Sequence, residues 1–248
     1  MKILLCFETV IPNKDFFDLC LELHQPSYEI LVFIDDNSYN INFKYDKEKI
    51  KVIQIDNDEC QNAGYKSLVR WMKNRSSSKD KALYYIIKEN LNYDYVWFLE
   101  EDCFIPTNNT IKNIDIKYPN YDLLVKEHDV YETKQNENIW HWKYVHELCK
   151  IQPPYGRALV CVLRCSKTLI DKIKNYACEY KNLFYCESIF NTLCIHNNLS
   201  VKVIPELKTM HWAIYKWKIQ EIKNENIYHP IKDMNMQKDY RTIMKRKK

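Results

Sequence analysis

Glu100, Glu101 and Asp102 form an unbroken acidic triplet at the end of the apolar run VWFL, residues 96–99. Like charges held ~4 Å apart at an effective dielectric near 20 repel by about 4 kcal/mol per pair. Solvation, protonation or a bound cation relieves that repulsion. If the segment is extended, residues i and i+2 share a side, so Glu100 and Asp102 project together and Glu101 points away. A Glu-x-Asp pair of hard oxygens suits Mg2+ or Mn2+ and not zinc. A second acidic pair, Asp35 and Asp36, follows the run ILVFI and precedes turn-forming residues. Glu187 lies in the apolar, aromatic segment FYCESIF, where a carboxylate is costly unless used or paired. Its plainer reading is an acid favoured at a helix N-terminus.

The elements that must position these groups follow from periodicity. Apolar runs at 2–8, 29–38 and 51–58 read as strands, and a helical face spans 13–24 up to the stop at Pro26. A long helical region at 62–91 is interrupted at 74–80, where Ser78 or Asp80 can cap the second half. The strand that carries the acidic triplet comes next. Alternating strands and helices with continuously apolar strands predict an α/β fold, a mostly parallel sheet covered on both faces. Such sheets bind ligands beyond the carboxyl ends of their strands. Asp35–Asp36 and Glu100–Asp102 are therefore expected on one rim. Farther on, 121–128, 157–165 and 200–207 read as strands, and 166–178, capped by Ser166, and 185–198 as helices. Trp140 and Trp142 are two apart. On a strand they face one side and offer a platform for sugar rings, or else an apolar wall of the core. One domain is expected.

Composition narrows the function classes. The 248 residues include only two glycines, which excludes GxGxxG and GxxxxGK[ST] phosphate loops. Ten cysteines are irregularly spaced with no CxxC, so reduced thiols in a cytosol-like compartment are expected. Cys178, Cys186, Cys194 and His196 fit no common zinc spacing. Five apolar residues before Glu8 are too few for a signal peptide, and no run approaches the ~18 residues of a membrane span. A cytoplasmic protein is expected. Net charge is +4, and the run Arg241, Lys245, Arg246, Lys247, Lys248 reads as a solvated terminus before a nucleic-acid or membrane contact.

The segment YDYVWFLEEDCFIP resembles the metal-binding strand of GT-A glycosyltransferases, which ends in a DxD-type motif. Glu100 takes the first place of that motif here. The stretches QNAGYKSLVRWMKN and KDKALYYIIKENLNYDYVWFLEED are similar to the helix leading into that strand. FYCESIFNTLC is similar to the segment carrying a catalytic acid in several inverting members. The chain is also similar in character to glycosyltransferases encoded by large DNA viruses, for which the host cytoplasm is the expected location.

The resemblance spans about residues 1–205 and implies a GT-A-like, Rossmann-like domain. Residues 1–105 would bind the nucleotide sugar, 106–210 the acceptor, and 211–248 would add a C-terminal segment with the basic tail. It implies Mn2+ (or Mg2+) on Asp102, a UDP- or GDP-sugar donor, and a glycan or other hydroxyl acceptor. Glu100 would meet the metal through water or bind ribose, and Asp35 or Asp36 would touch the nucleoside. Lys66 or Lys81 would add charge near the phosphates, unless they are solvated helix residues. Glu187 is the candidate general base, His211 a candidate late metal or diphosphate ligand, and Trp140 and Trp142 candidate acceptor contacts. Two rivals share the acidic cluster: a metal-dependent nuclease or nucleotidyltransferase, and a catalytically inactive sugar-nucleotide-binding relative. No basic stripe favours nucleic acid.

Overall fold

Strands rich in β-branched and aromatic residues pair into one twisted sheet in the computed structural model, which describes residues 1–67, 76–132 and 140–246. In chain order the strands are β1 (Ile3–Thr9), β2 (Tyr28–Ile34), β3 (Ile50–Gln54), β4 (Tyr95–Glu100) and β5 (Leu123–Val125). They continue with β6 (Asp129–Tyr131), β7 (Tyr155–Arg157), β8 (Val162–Ser166) and β9 (Val201–Val203). The main sheet has the order β3-β2-β1-β4-β8-β5-β9, and β6 pairs with β7 apart from it. Every pairing in the main sheet is parallel except those of β8, which runs against β4 and β5.

The helices are α1 (Lys14–Leu23), α2 (Asn57–Asn62), α3 (Ser78–Lys88), α4 (Thr110–Lys117), α5 (Trp142–Leu148), α6 (Lys167–Tyr180), α7 (Cys186–His196) and α8 (Met234–Arg246). Side chains alternate across the pleat. Val96 and Phe98 of β4 enter the core beneath α3, α6 and α7, while Trp97 and Leu99 enter the one beneath α1 and α4. That two-sided burial is why the strand is continuously apolar. Each fully buried large apolar side chain contributes about 1.5–3 kcal/mol. This is the expected α/β class: a single, mostly parallel sheet of Rossmann-like topology flanked by helices.

Several local expectations are corrected. Residues 62–91 are not one interrupted helix: α2 ends before Gly64, whose φ of +93° and approach to the Lys181 backbone leave no room for a Cβ. Of that expected region, residues 68–75, including the first two of the interruption at 74–80, lie outside the described residues. The cap of α3 is Ser77, not Ser78, with Asp80 returning a hydrogen bond to the Ser77 backbone as a capping box. Ser166 caps α6 as expected. The stretch 157–165 divides into β7 and β8. Trp140 precedes a helix and Trp142 begins it, so the two do not share a strand face.

The basic tail is not a loose terminus as far as Arg246. It forms α8, packed against α1, with Arg241 buried beside Glu22 at 3.1 Å and Lys238 paired to Asp15 at 3.0 Å. Lys247 and Lys248 lie outside the described residues. Among the described residues no helix is long and apolar enough to cross a membrane.

Candidate functional site

Chain direction brings the chemistry to one rim. β1, β2 and β4 end there, and Glu8 of β1 lies level with Glu100 of β4. β8 runs the other way, so its start is at the same rim, and the preceding Cys161 accepts the Glu100 backbone N–H through its carbonyl at 3.2 Å. α3 precedes β4 and presents its N-terminal turn, with Lys79 and Lys81.

The strand itself stops at Glu100, and Glu101 and Asp102 form a turn. Glu100 and Asp102 nevertheless converge on one partner, the Nε2 of His229, at 3.2 and 3.1 Å. Glu101 points elsewhere and accepts a hydrogen bond from the Thr9 hydroxyl. The separation expected from strand alternation is present, although the turn produces it. Burial opposes charge on His229, but hydrogen bonds to Asp102, Cys161 and Glu100 outweigh it and raise its pKa to about 12. Burial likewise opposes charge on Glu100, yet His229 and Lys79 bring its carboxyl down to about 2.

His229 is fixed from behind by a hydrogen bond from Nδ1 to the His211 carbonyl at 2.7 Å. Its segment is clipped to the acidic turn by paired Phe104–Tyr228 backbone bonds and by Ile231 N–H to the Asp102 carbonyl at 2.8 Å. An imidazole held in this way turns Nε2 toward a ligand. The carboxylate of Glu100, the thiol of Cys161 and the imidazole of His229 offer ligand atoms within 4.8 Å of one another.

Lys79 is buried, 2.9 Å from Glu8 and 4.0 Å from Glu100. Burial pushes the Glu8 carboxyl up, while the burial of Lys79 is outweighed by Glu8 and Glu100, which hold the amine protonated. At 2.9 Å the contact between them is a charge-assisted bond, and the pair is ionic.

Three adjoining cavities run along this rim. The first, about 270 Å³, is lined by Asp35, Glu8, Thr9, Glu101 and Lys232 among others. Glu100, Asp102, Ser78 and Lys232 also line the second, about 320 Å³, with Lys79, Cys161 and His229. Leu159, Glu187 and Trp212 lie on the wall between the second and a third of about 560 Å³, which adds Trp140, His141, Arg157, Lys126 and Tyr185. Glu187 occupies the first turn of α7, and burial raises its pKa against hydrogen bonds from Tyr185 and Trp140. Trp212 and Ile214 overhang these cavities at 81 % and 83 % exposure.

The rim thus gathers Asp35, Glu100 and Asp102, with Glu187 across the second cavity. Asp36 does not line it and instead accepts the Ser38 hydroxyl and N–H in a turn, which lowers its pKa. Lys81 is held by both oxygens of Asp35 at 2.6 and 2.8 Å, so its charge is engaged. Lys66 lines none of the three cavities. The ring of His211 stacks on Tyr215 at 4.5 Å, and the histidine facing the acids is His229. Trp140 lines the third cavity with Arg157 over its ring at 5.0 Å, whereas Trp142 is buried against Tyr131.

Lys79, Cys161, His229 and Trp212 were not identified from sequence. His229 is 127 positions beyond Asp102, and no local pattern joins them. The two lysines of α3 are two apart, and periodicity does not say which faces the acids.

No protein-family model matches the chain, and no curated protein matches it. Among solved structures it is similar to glucosyl-3-phosphoglycerate synthase from Mycobacterium tuberculosis, in complex with Mn2+, UDP-glucose and phosphoglyceric acid. That match has 11 % identity over 68 % of this chain and 57 % of that one, with a TM-score of 0.38. Mouse xyloside xylosyltransferase 1 matches at 13 % identity over 92 % and 96 %, with a TM-score of 0.44. The 4-diphosphocytidyl-2C-methyl-D-erythritol synthase of Anaerococcus prevotii matches at 10 % over 98 % and 96 %, with a TM-score of 0.46. The chain spans 54 % and 57 % of the length of the first two mycobacterial proteins it matches. Likeness at this level carries no conclusion about activity, substrate or cofactor.

Proposed function

We propose that the rim is the active site of a metal-dependent glycosyltransferase that moves a sugar from a nucleotide-diphosphate sugar to a hydroxyl acceptor. The observation that carries this reading is the convergence of Glu100 and Asp102 on His229, with Glu187 on the wall between the adjoining cavities. The donor set fits a divalent cation: two carboxylates meet an imidazole whose other nitrogen is already bound to a carbonyl. Asp102 and His229 would hold it, with Glu100 beside them, directly, through water or through ribose. When bound, a cation there neutralises charge that develops on the departing diphosphate.

In this reading Asp35 faces the nucleoside of a UDP- or GDP-sugar in the first cavity. The diphosphate lies in the second, where the N-terminus of α3 supplies positive charge. No glycine loop is needed. The acceptor, a glycan or another alcohol, enters the third cavity along Trp140. Residues 1–105 serve the donor, 106–210 the acceptor, and 211–248 close the rim with His229. Glu187 takes the proton from the acceptor hydroxyl, and its raised pKa brings it closer to the range of an effective base. Attack opposite the diphosphate then inverts the anomeric centre.

The test is turnover of nucleotide sugars with and without chelator. Asp102→Asn is expected to lose at least about 10²–10³ in rate, the scale of removing one preorganised electrostatic partner, with the fold retained by circular dichroism. Full activity of that variant in chelator-treated buffer contradicts the reading.

A further inference from the structure

The sequence offers only oxygen donors at the acidic turn, which favours Mg2+ or Mn2+. The fold changes that donor set. It adds the imidazole of His229 and, from the loop before β8, the thiol of Cys161. We propose that Cys161 is a direct ligand and that the rim takes a thiophilic divalent cation of the Co2+, Zn2+ and Fe2+ class in preference to Mg2+.

Cys161 belongs to the same compact group as Glu100 and His229, with ligand atoms no more than 4.8 Å apart. Donors at ~2.0–2.3 Å from one tetrahedral ion lie about 3.3–3.8 Å apart, so closure by about 1 Å seats the ion. The thiol lines the second cavity, so an ion reaches it from solvent. It is also tethered: its carbonyl accepts the N–H of Glu100 and lies 3.5 Å from the Cys103 thiol, fixing the loop against the acidic turn. His229 is held at Nδ1 by the His211 carbonyl, so Nε2 is the nitrogen that faces the group. Sulfur and imidazole donors together favour later first-row ions, whereas Mg2+ demands oxygen. On binding, the Cys161 S–H bond and the His229 Nε2–H bond break, the sulfur–metal and nitrogen–metal bonds form, and both protons leave to solvent. No oxidant is required. Asp102 approaches His229 at 3.1 Å from beside this group and is not one of its three members.

This inference rests on the transferase reading only in placing a metal at the rim, and its test separates the two. The protein is titrated with Co2+ and with Mg2+, and the near-ultraviolet thiolate-to-cobalt charge-transfer band is recorded for wild type, Cys161→Ser and Cys186→Ser. Cys186 also lines the second cavity and serves as the control. The wild type and Cys186→Ser are expected to show the band. Cys161→Ser should lose it along with at least about 10–100-fold in Co2+ affinity, the range lost with one supporting contact, while its Mg2+ affinity changes little.

Should the serine variant not fold, wild-type alkylation mapped by mass spectrometry decides the matter, because Co2+ should shield Cys161 alone. Failure to bind Co2+, a band that survives in Cys161→Ser, or alkylation of Cys161 unaffected by Co2+ overturns the proposal. UDP and GDP are then added to the same samples. Nucleotide binding to the Co2+ form without the band overturns the Cys161 ligand and leaves the transferase reading. The band without nucleotide binding does the reverse.

Discussion

Two places in this molecule bury charge, and they do so differently. Deep between sheet and α4, Arg164 of β8 meets Asp115 at 2.6 Å, both fully buried. The Arg164 guanidinium also donates to the Tyr118 and Tyr121 carbonyls, and Asp115 accepts from Tyr28 and Trp97. One cation faces one anion, and no rim cavity touches them. At the rim, Glu8, Glu100 and Asp102 share Lys79 and His229, and the cluster opens onto two joined cavities. The first arrangement is closed: its partners are all protein groups. The second keeps acceptor atoms turned toward a void. The contrast teaches that burial alone does not mark a functional charge. Orientation toward space, with donors of several kinds aimed at one point, does.

Breaking the closed pair should produce the largest effect, and on stability. Arg164→Met leaves Asp115 buried and unpaired, so unfolding in denaturant should show a loss of about 3–5 kcal/mol. Arg164→Met with Asp115→Leu should recover much of it. If the single variant is as stable as wild type, the pair is not the closed structural element described. Glu187 belongs to the open class, as a half-buried carboxylate facing two cavities. Glu187→Gln should slow transfer by about 10²–10⁴-fold while donor affinity stays put. Unimpaired transfer removes it as the base.

A smaller effect sharpens the same contrast through pH. The folded pKa of His229 is raised to about 12, so its charge supports the ion-free fold below its ordinary value and is lost only as pH rises through about 12. That of Glu100 is lowered to about 2, so its contribution is lost as pH falls toward that value. A cation on Nε2 must therefore displace a proton across the neutral range. Its apparent affinity should rise about tenfold per pH unit between about pH 6 and pH 8 for that proton, more if Cys161 also releases one. Calorimetric titrations across that range would measure it, and a flat profile would remove His229 as a ligand.

The sequence reading recovered what two-sided burial writes into a chain. β1, β2 and β4 are continuous apolar runs because α1 and α4 cover one face and α3, α6 and α7 the other. The rim position of Asp35, Glu100 and Asp102 followed from strand direction. What it missed depends on distant pairings. His229 reaches the acids through a bridge between Met210 and His229 and another between Phe104 and Tyr228. Cys161 arrives because β8 alone is reversed. Asp115 and Arg164, 49 positions apart, look like ordinary surface charges until the sheet closes over them. Trp142 was misplaced because two tryptophans two apart suit a strand, yet its ring fills a gap beside Tyr131 from a helix. Local pattern thus located the rim, and long-range packing brought several of its residues there.

The central claim is that the open cluster binds a nucleotide diphosphate through a divalent cation. The direct measurement is thermal denaturation with UDP or GDP, with and without Mn2+ or Co2+, for wild type and Asp102→Asn. Stabilisation by one nucleotide only when the cation is present, and lost in the variant, is the expected result. At ligand concentrations 100-fold above Kd it should reach about 2.7 kcal/mol. Equal stabilisation in chelator, or none with any nucleotide and cation, contradicts the claim.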